Sequence, residues 1–305
     1  MAYVTTTINE FGLTGTSPVS FTMNVDGNLI YSGKGWAKPG AASVYVRPNE
    51  IFSQYLGQLL PVMTDGTETA ANLVRTFQIV SGTTKNYSFA YGCESDLDNT
   101  PHHAPITGRV AIGQLFIASA FKASTKVVTS AGTTTMAAAN KNRVVDTSAL
   151  TGGIRVEVGT GSVAWTLVPR CVRYALFYVN ALGGWDSMLM EGGCRQTDGY
   201  DRSETGVYPT AGVSEDVAQD SKVYLNEVKR RYTLNTGFLT DAEAARMHHL
   251  LGSVMVYLCD LADGNKMYPV KITNGECPYK TFRNEGGQMV AYDIEVEQQA
   301  TVTRR

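Results

Sequence analysis

Residues 231–252 read RYTLNTGFLTDAEAARMHHLLG, and the reading of this stretch decides the fold. Tyr232-Thr233-Leu234-Asn235-Thr236 has the β-branched and aromatic content of a strand. Thr240-Asp241-Ala242-Glu243 is then a capping box, in which the Thr hydroxyl accepts from the backbone N–H of Glu243 while the Glu carboxylate reaches back. Asp241 and Glu243 also lie in the first turn, where the positive end of the helix dipole favours carboxylates. Met247, Leu250 and Leu251 share one helical side, and Gly252 is placed to end the helix, giving a capped helix over 240–251. Working outward, residues 253–259 predict a strand, Asp263-Gly264-Asn265 a turn, and 266–273 a further strand. The stretch 289–297 alternates, with Val290, Tyr292, Ile294 and Val296 on one face and Ala291, Asp293, Glu295 and Glu297 on the other. The segment therefore reads β–α–β–β–β, one sheet with one helix lying on it, and it carries no recognisable chemistry. Val256 and Tyr257 on its apolar strand are the positions expected to meet a neighbouring subunit.

The chain has 305 residues, which suggests about two domains. The expected division is a β-rich domain over 1–150 with one short helix, and a second β-rich domain over 151–305 containing the capped helix. Charged residues make up only 18%, and Thr, Ser, Gly and Tyr fill the gap, as on β-rich surfaces or surfaces covered by partners. A net charge of -2 gives no bulk electrostatic argument for nucleic acid or an anionic membrane. The opening MAYVTTT has neither the basic nor the apolar region of a secretory leader, and no apolar run approaches the roughly 18 residues of a membrane helix. The expectation is a chain made in a cytoplasm.

From the N-terminus, residues 19–25 alternate as a strand, and Asp26-Gly27-Asn28 marks a hairpin into 29–33. Gly33, Gly35 and Gly40 match neither the dinucleotide nor the P-loop spacing and read as turns. A short strand over 43–46 leads to Asn49, a candidate cap for a helix carrying Ile51, Phe52, Tyr55, Leu56 and Leu59, stopped by Pro61. Strands follow over 73–80 and 87–92, with Ser81-Gly82 between them. Residues 114–123 are apolar and fit strand or short helix, whereas 129–140 reads as a loop or an edge strand. Residues 154–158 and 162–167 form strands around Gly159-Thr160-Gly161. A buried strand over 172–180 turns at Gly183-Gly184 into 185–191. The polar stretch 191–220, with Tyr208-Pro209, reads as an exposed connection or a segment ordered by a partner. The fold class is mainly β with α+β elements: a β-sandwich-like N-terminal part and the C-terminal β–α–β–β–β cassette.

No catalytic, cofactor-binding or metal-binding residue is assigned. Asp96, Asp98, His102 and His103 are of metal-binding type, but adjacent histidines on an irregular loop give no fixed geometry. Asp186 and Glu191 are five apart, an odd step that puts them on opposite faces of a regular strand and spoils a glycosidase-like pair. His248 and His249 suit the C-terminal end of the capped helix. Tyr174, Phe177, Tyr178 and Trp185 form either an aromatic core or a platform on which a sugar stacks against Trp185. Cys93, Cys171, Cys194, Cys259 and Cys277 have no CxxC spacing and read as buried free thiols. Asn86-Tyr87-Ser88 matches a glycosylation acceptor without a secretory context. No G-x-S-x-G, H-E-x-x-H, kinase or P-loop pattern occurs, so the expectation is not an enzyme and no cofactor.

Residues 175–186, ALFYVNALGGWD, resemble the LYYLNxxGGWD signature in virion proteins of tailed phages and prophages of Bacteroides-type gut bacteria. Arg231-Tyr232-Thr233-Leu234, Gly237-Phe238-Leu239-Thr240, Ala245-Arg246-Met247-His248-His249-Leu250-Leu251 and Tyr279-Lys280-Thr281-Phe282-Arg283-Asn284 are similar to the ending of the same proteins. The resemblance covers the second half well and the first half loosely; Cys93-Glu94-Ser95 stands where a more aromatic loop is expected. It implies a structural protein of the tail or baseplate, ring-forming, whose partners are its own copies and neighbouring virion proteins. The implied location is the virion, after synthesis in the host bacterial cytoplasm, without direct nucleic-acid contact or membrane insertion. The alternative is a carbohydrate- or receptor-binding module at the particle tip.

Overall fold

The computed structural model describes residues 3–4, 11–14, 18–71, 74–92, 103, 107–206, 221–274, 291–299 and 302–304. Contacts divide the chain into two compact units. The first is Met1–Cys171 with Phe177–Met188 and His248–Val254, and the second is Val172–Leu176 with Leu189–Met247 and Met255–Arg305. The point between residues 150 and 151 falls inside the first unit, where Leu150 and Ile154 share one core. The protein is a β-rich α+β fold.

In the first unit, β1 (Tyr3–Val4), β2 (Phe11–Thr14), β3 (Val19–Val25), β4 (Asn28–Gly35) and β5 (Ser43–Val46) precede α1 (Asn49–Ser53). The β3–β4 hairpin closes through Asp26 and Gly27, both at positive φ (50° and 82°), with Val25 opposite Asn28. That is the turn whose twist matches the strands it joins. Gly33 and Gly35 lie within β4 rather than in turns. A Cβ on Gly35 would collide with Val44, and one on Gly33 would sit 2.8 Å from the Tyr31 ring. Pro48, not Asn49, occupies the cap position of α1 and makes no side-chain cap bond. The helix stops at Ser53, short of Pro61, and Gly57 at φ 141° cannot continue it, so Leu59 is exposed.

Next come β6 (Glu68–Ala70), β7 (Val74–Ser81), β8 (Thr83–Ala90), β9 (Gly108–Ala111), β10 (Leu115–Ala120), β11 (Lys126–Thr129), β12 (Gly132–Thr135), β13 (Lys141–Asp146), β14 (Ile154–Val158) and β15 (Gly161–Val168). The sheet β1-β8-β7-β3-β4 and the pair β2-β5 enclose a core of Phe11, Phe21, Met23, Phe77 and Phe89, joined by Phe52 from α1. Phe52 stacks on Phe77 at 4.1 Å and meets Phe89 edge-on at 4.9 Å. A second core, with Phe116, Val127, Ile154, Val156 and Trp165, draws on β10 of the sheet β10-β13-β6 and on the sheet β12-β11-β14-β15-β9. Each core thus draws on two sheets, as in a sandwich. Residues 115–120 are strand, and β12 is the edge of its sheet. β16 (Tyr174–Val179) and β17 (Trp185–Leu189) pair with each other and are buried at every position, which explains their unbroken apolar run.

β18 (Arg195–Gly206), β19 (Ser221–Asn235), α2 (Asp241–Leu251), β20 (Val256–Asp260), β21 (Lys266–Ile272), β22 (Asp293–Gln298) and β23 (Val302–Arg304) complete the chain. The sheet of the second unit runs β16-β20-β21-β22-β19-β18, with β23 also on β19. The capping box forms: Thr240 N–H donates to Glu243 Oε2 at 2.9 Å and Glu243 N–H to Thr240 Oγ1 at 3.3 Å. Tyr292, Ile294 and Val296 are buried, while Asp293 and Glu295 face solvent. Residues 289 and 290 lie outside the described residues, as do 279–284. Val256 is buried and Tyr257 half-buried, so Val256 holds its own sheet and is not a surface for a neighbour.

The largest departure from the sequence reading is at 191–220. Much of it is β18, which pairs with β19 from Arg195↔Thr233 to Gly206↔Ser221. Residues 207–220, including Tyr208-Pro209, lie outside the described residues. From Arg195 to Arg202 every residue but the half-buried Asp198 is exposed, so both faces of this strand meet solvent. Two of its carboxylates are bonded to β19: Asp198 to Arg230 at 3.0 Å, and Asp201 to Lys229. Across β19, Arg231 pairs with Glu297 of β22 at 2.7 Å.

Candidate functional site

Among the described residues, a cluster of chemistry-bearing side chains lies in the first unit, around the Asn180-Ala181-Leu182-Gly183-Gly184-Trp185-Asp186 turn. Gly183 is at φ 90°, and a Cβ there would lie 2.5 Å from the Tyr91 carbonyl oxygen. The reciprocal contact is Gly92, whose Cβ would lie 2.6 Å from Leu182 O. Two backbones touch here, and only glycine allows it. Asn180 Oδ1 accepts from Leu182 N–H (2.9 Å) and Gly184 N–H (3.1 Å), while its Nδ2 donates to Asp186 Oδ2 at 2.7 Å. The amide therefore fixes the turn through its oxygen and donates an Nδ2 hydrogen to the carboxylate.

The other oxygen of Asp186 lies 3.2 Å from His103 Nδ1. His103 Nε2 accepts from the Ser119 backbone N–H at 3.2 Å, so the proton of a neutral ring sits on Nδ1 and points at Asp186. His103 packs edge-on to Trp165 at 4.8 Å. Ser119 Oγ accepts from Trp185 N–H at 3.0 Å, and Gln58 Nε2 donates to Gly183 O at 2.7 Å. Asn142 Nδ2 donates to Gln58 Oε1 at 2.7 Å, and Gln114 Nε2 donates to Ser187 Oγ at 3.0 Å. Val179 N–H reaches Ser253 Oγ and Ala181 N–H reaches His249 Nδ1, both at 3.2 Å.

Asp186, His103 and Ser119 share the residue types of a hydrolase triad but not its roles. In a triad the imidazole Nε2 faces the serine hydroxyl and removes its proton. Here Nε2 faces a backbone N–H, and the hydroxyl serves another backbone N–H. His103 and Ser119 are 0% exposed and Asp186 3%, so all three side chains are buried. The arrangement satisfies buried donors and acceptors and fixes where strands and turns meet.

Of the other sequence candidates, Asp96, Asp98 and His102 lie outside the described residues, and His103 serves the hub. Among the described residues no group of three or more His, Cys, Asp or Glu is placed to hold a metal ion. Glu191 is exposed beyond the end of β17, while Asp186 is turned into the core. Trp185 is 1% exposed and offers no face to a sugar. Tyr174, Phe177 and Tyr178 are likewise core. His248 and His249 lie in the last turn of α2, as expected, and His249 Nδ1 accepts from the Ala181 backbone N–H. Cys259 is buried, but Cys171 and Cys194 are exposed, contrary to the expectation of buried thiols; Cys93 and Cys277 lie outside the described residues. Asn86-Tyr87-Ser88 is part of β8. No described helix is long and apolar enough to cross a membrane.

The sequence reading missed Gln58, Gln114, Ser119 and Asn142. The available signal was a polar residue inside an apolar strand, as with Ser119 in Leu115–Ala120. No protein-family model matches the chain, and no curated protein does.

Proposed function

We propose that this chain is a structural subunit of a tailed-phage particle, a ring-forming tail or baseplate component that acts by assembling with its own copies and with neighbouring virion proteins. The observation that carries the reading is the β18–β19 ribbon. Twelve residues of β18 span roughly 40 Å at strand rise, and the strand is exposed on both faces from Arg195 to Arg202 apart from Asp198. A strand without a buried face gains little from its own core, and a second subunit packed on it supplies the missing burial. The signature-like turn at Asn180–Asp186 fits the same reading, because its polar atoms are spent on the fold and leave none for a substrate. The particle is then the place of action, reached after folding in the host cytoplasm.

The purified chain is expected to form a closed ring, visible as a discrete mass by light scattering and as a ring in negative stain. A monomer at every concentration would overturn self-assembly.

The second reading, a carbohydrate- or receptor-binding module, loses Trp185 as a platform but keeps the exposed rings of Trp36 (66% exposed) and Tyr45 (62%). It predicts a glycan-array signal that Trp36→Ala or Tyr45→Ala abolishes without changing oligomeric state.

A further inference from the structure

We infer that the outer edge of β18 pairs antiparallel with β18 of a second copy, about a two-fold axis through Tyr200; this rests on the assembly reading and names its contact. β18 ends the strand order of its sheet, with β19 on its inner side, so among the described residues its outer backbone edge has no strand against it. Such edges pair with other chains unless the side chains forbid it. On an isologous two-fold, residue i of one copy lies opposite residue j of the other and j opposite i, so the strand must match its own reverse.

The sequence of β18 from Arg195, RQTDGYDRSETG, favours one register; centres on Gly199 or between 200 and 201 also avoid like charges but set no opposite charges face to face. Centring on Tyr200 places Asp198 opposite Arg202 twice, Gly199 opposite Asp201, and the two Tyr200 rings on the axis. No like charges face each other. A centre on Asp198 sets that carboxylate against itself, and a centre on Asp201 does the same there. A centre between 198 and 199 opposes Arg195 to Arg202, and one between 199 and 200 opposes Asp198 to Asp201. Like charges directly opposite destabilise a pair of strands, whereas opposite charges and aromatic pairs favour it.

Asp198, Tyr200 and Arg202 alternate onto one face of β18, and Tyr200 is 54% exposed, so the three groups that match across the axis stand together. The pairing covers 197–203 on each copy. It ends where the β18–β19 register shifts between Ser203 and Glu204, a bulge of the kind that terminates an edge. The two sheets then join edge to edge into one continuous sheet with the two β18 strands at its centre. In a closed assembly the contact joins subunits in pairs, as dihedral symmetry requires.

The test is a cysteine cross-link in a background with Cys93, Cys171, Cys194 and Cys277 replaced by Ser, which removes the two exposed thiols among the described residues and the two that lie outside them. Across the axis the Cα atoms of residue 200 come to about 4.5–5.5 Å, within disulfide reach, whereas the two copies of residue 197 stand about 20 Å apart. Tyr200→Cys is expected to oxidise to a covalent dimer at least about tenfold faster than Thr197→Cys. Arg202→Glu is expected to weaken self-association by roughly tenfold, since it turns two matched pairs into repulsive ones. Equal cross-linking at the two positions, in an assembly that is still a ring, overturns the pairing and leaves the ring reading standing. Selective cross-linking in a species no larger than a dimer upholds the pairing and overturns the ring. A monomer under all conditions overturns both.

Discussion

At the scale of single residues, Asn180 holds a turn together with one side chain. It accepts from two backbone N–H groups and donates to Asp186, all out of contact with water. Asn180→Ala leaves two buried donors and part of a carboxylate without partners, a loss of about 2–4 kcal/mol read as a fall in melting temperature. Asn180→Asp is the sharper test. It keeps the acceptor for the turn but sets a second carboxylate at the 2.7 Å contact with Asp186. Two buried carboxylates at that distance cannot both stay ionised. Asn180→Asp should therefore be less stable than Asn180→Ala at neutral pH and recover part of the difference as pH falls through the carboxylate range. Thermal melts of both variants across pH check this; equal stability at every pH would show that the amide donor does not matter. The turn itself was legible from Gly183-Gly184, but nothing in the sequence singled out Asn180 as the residue that holds it. His103, Ser119 and Gln58 lie 66 to 125 residues along the chain from the turn residues they bond, and no local pattern points to such pairs.

At the scale of elements, legibility followed the presence of one buried and one exposed face. β3, β14 and β22 alternate because each has a core side, and the period shows in the sequence. The capped helix was legible because its start is a local bond between Thr240 and Glu243. Thr240→Ala is expected to cost about 1 kcal/mol in the chemical denaturation midpoint. β18 was read as a connection for the converse reason: with both faces wet it shows no hydrophobic period, only charges and turn-forming residues. What fixes it is its ladder to β19 and the ion pairs along it. Lys229 holds the Asp201 carboxyl below its ordinary value of 3.8 through their hydrogen bond, and the ammonium is raised above its ordinary 10.5 in return. The sign follows: the Asp201 contribution is complete above the ordinary carboxylate value and is lost as pH falls through its depressed one. The Lys229 contribution is complete below 10.5 and is lost as pH rises through the raised value. In Lys229→Met, the titration midpoint of Asp201 followed by NMR should rise toward 3.8. An unchanged midpoint would mean that the ribbon does not hold this pair in solution.

At the scale of the whole molecule, sequence order and spatial order part company. A division near residue 150 is natural from chain length, yet the first unit takes Phe177–Met188 and His248–Val254 from the later part of the chain. The physical reason is the polar hub. Gln58 donates to Gly183 O, Ser119 Oγ accepts from Trp185 N–H, His103 leans on Asp186, and Gln114 donates to Ser187 Oγ. Every one of those partners follows residue 177, and each group they serve is buried. A fragment ending at Cys171 would keep these donors and acceptors and lose their counterparts, together with Trp185, which is 1% exposed in the intact unit. Several unpaired buried polar groups, at about 1–3 kcal/mol each, are enough to exhaust the net stability of a domain. The 1–171 fragment is therefore expected to give a collapsed NMR amide spectrum and no cooperative melt. Adding a peptide of residues 172–191 in trans should restore dispersion to some extent, because it returns the Asn180–Asp186 turn. A fragment that folds cooperatively alone would show that the hub decorates an already sufficient core. Failure of the fragment, with rescue by the peptide, would establish the turn as the element on which the first unit closes.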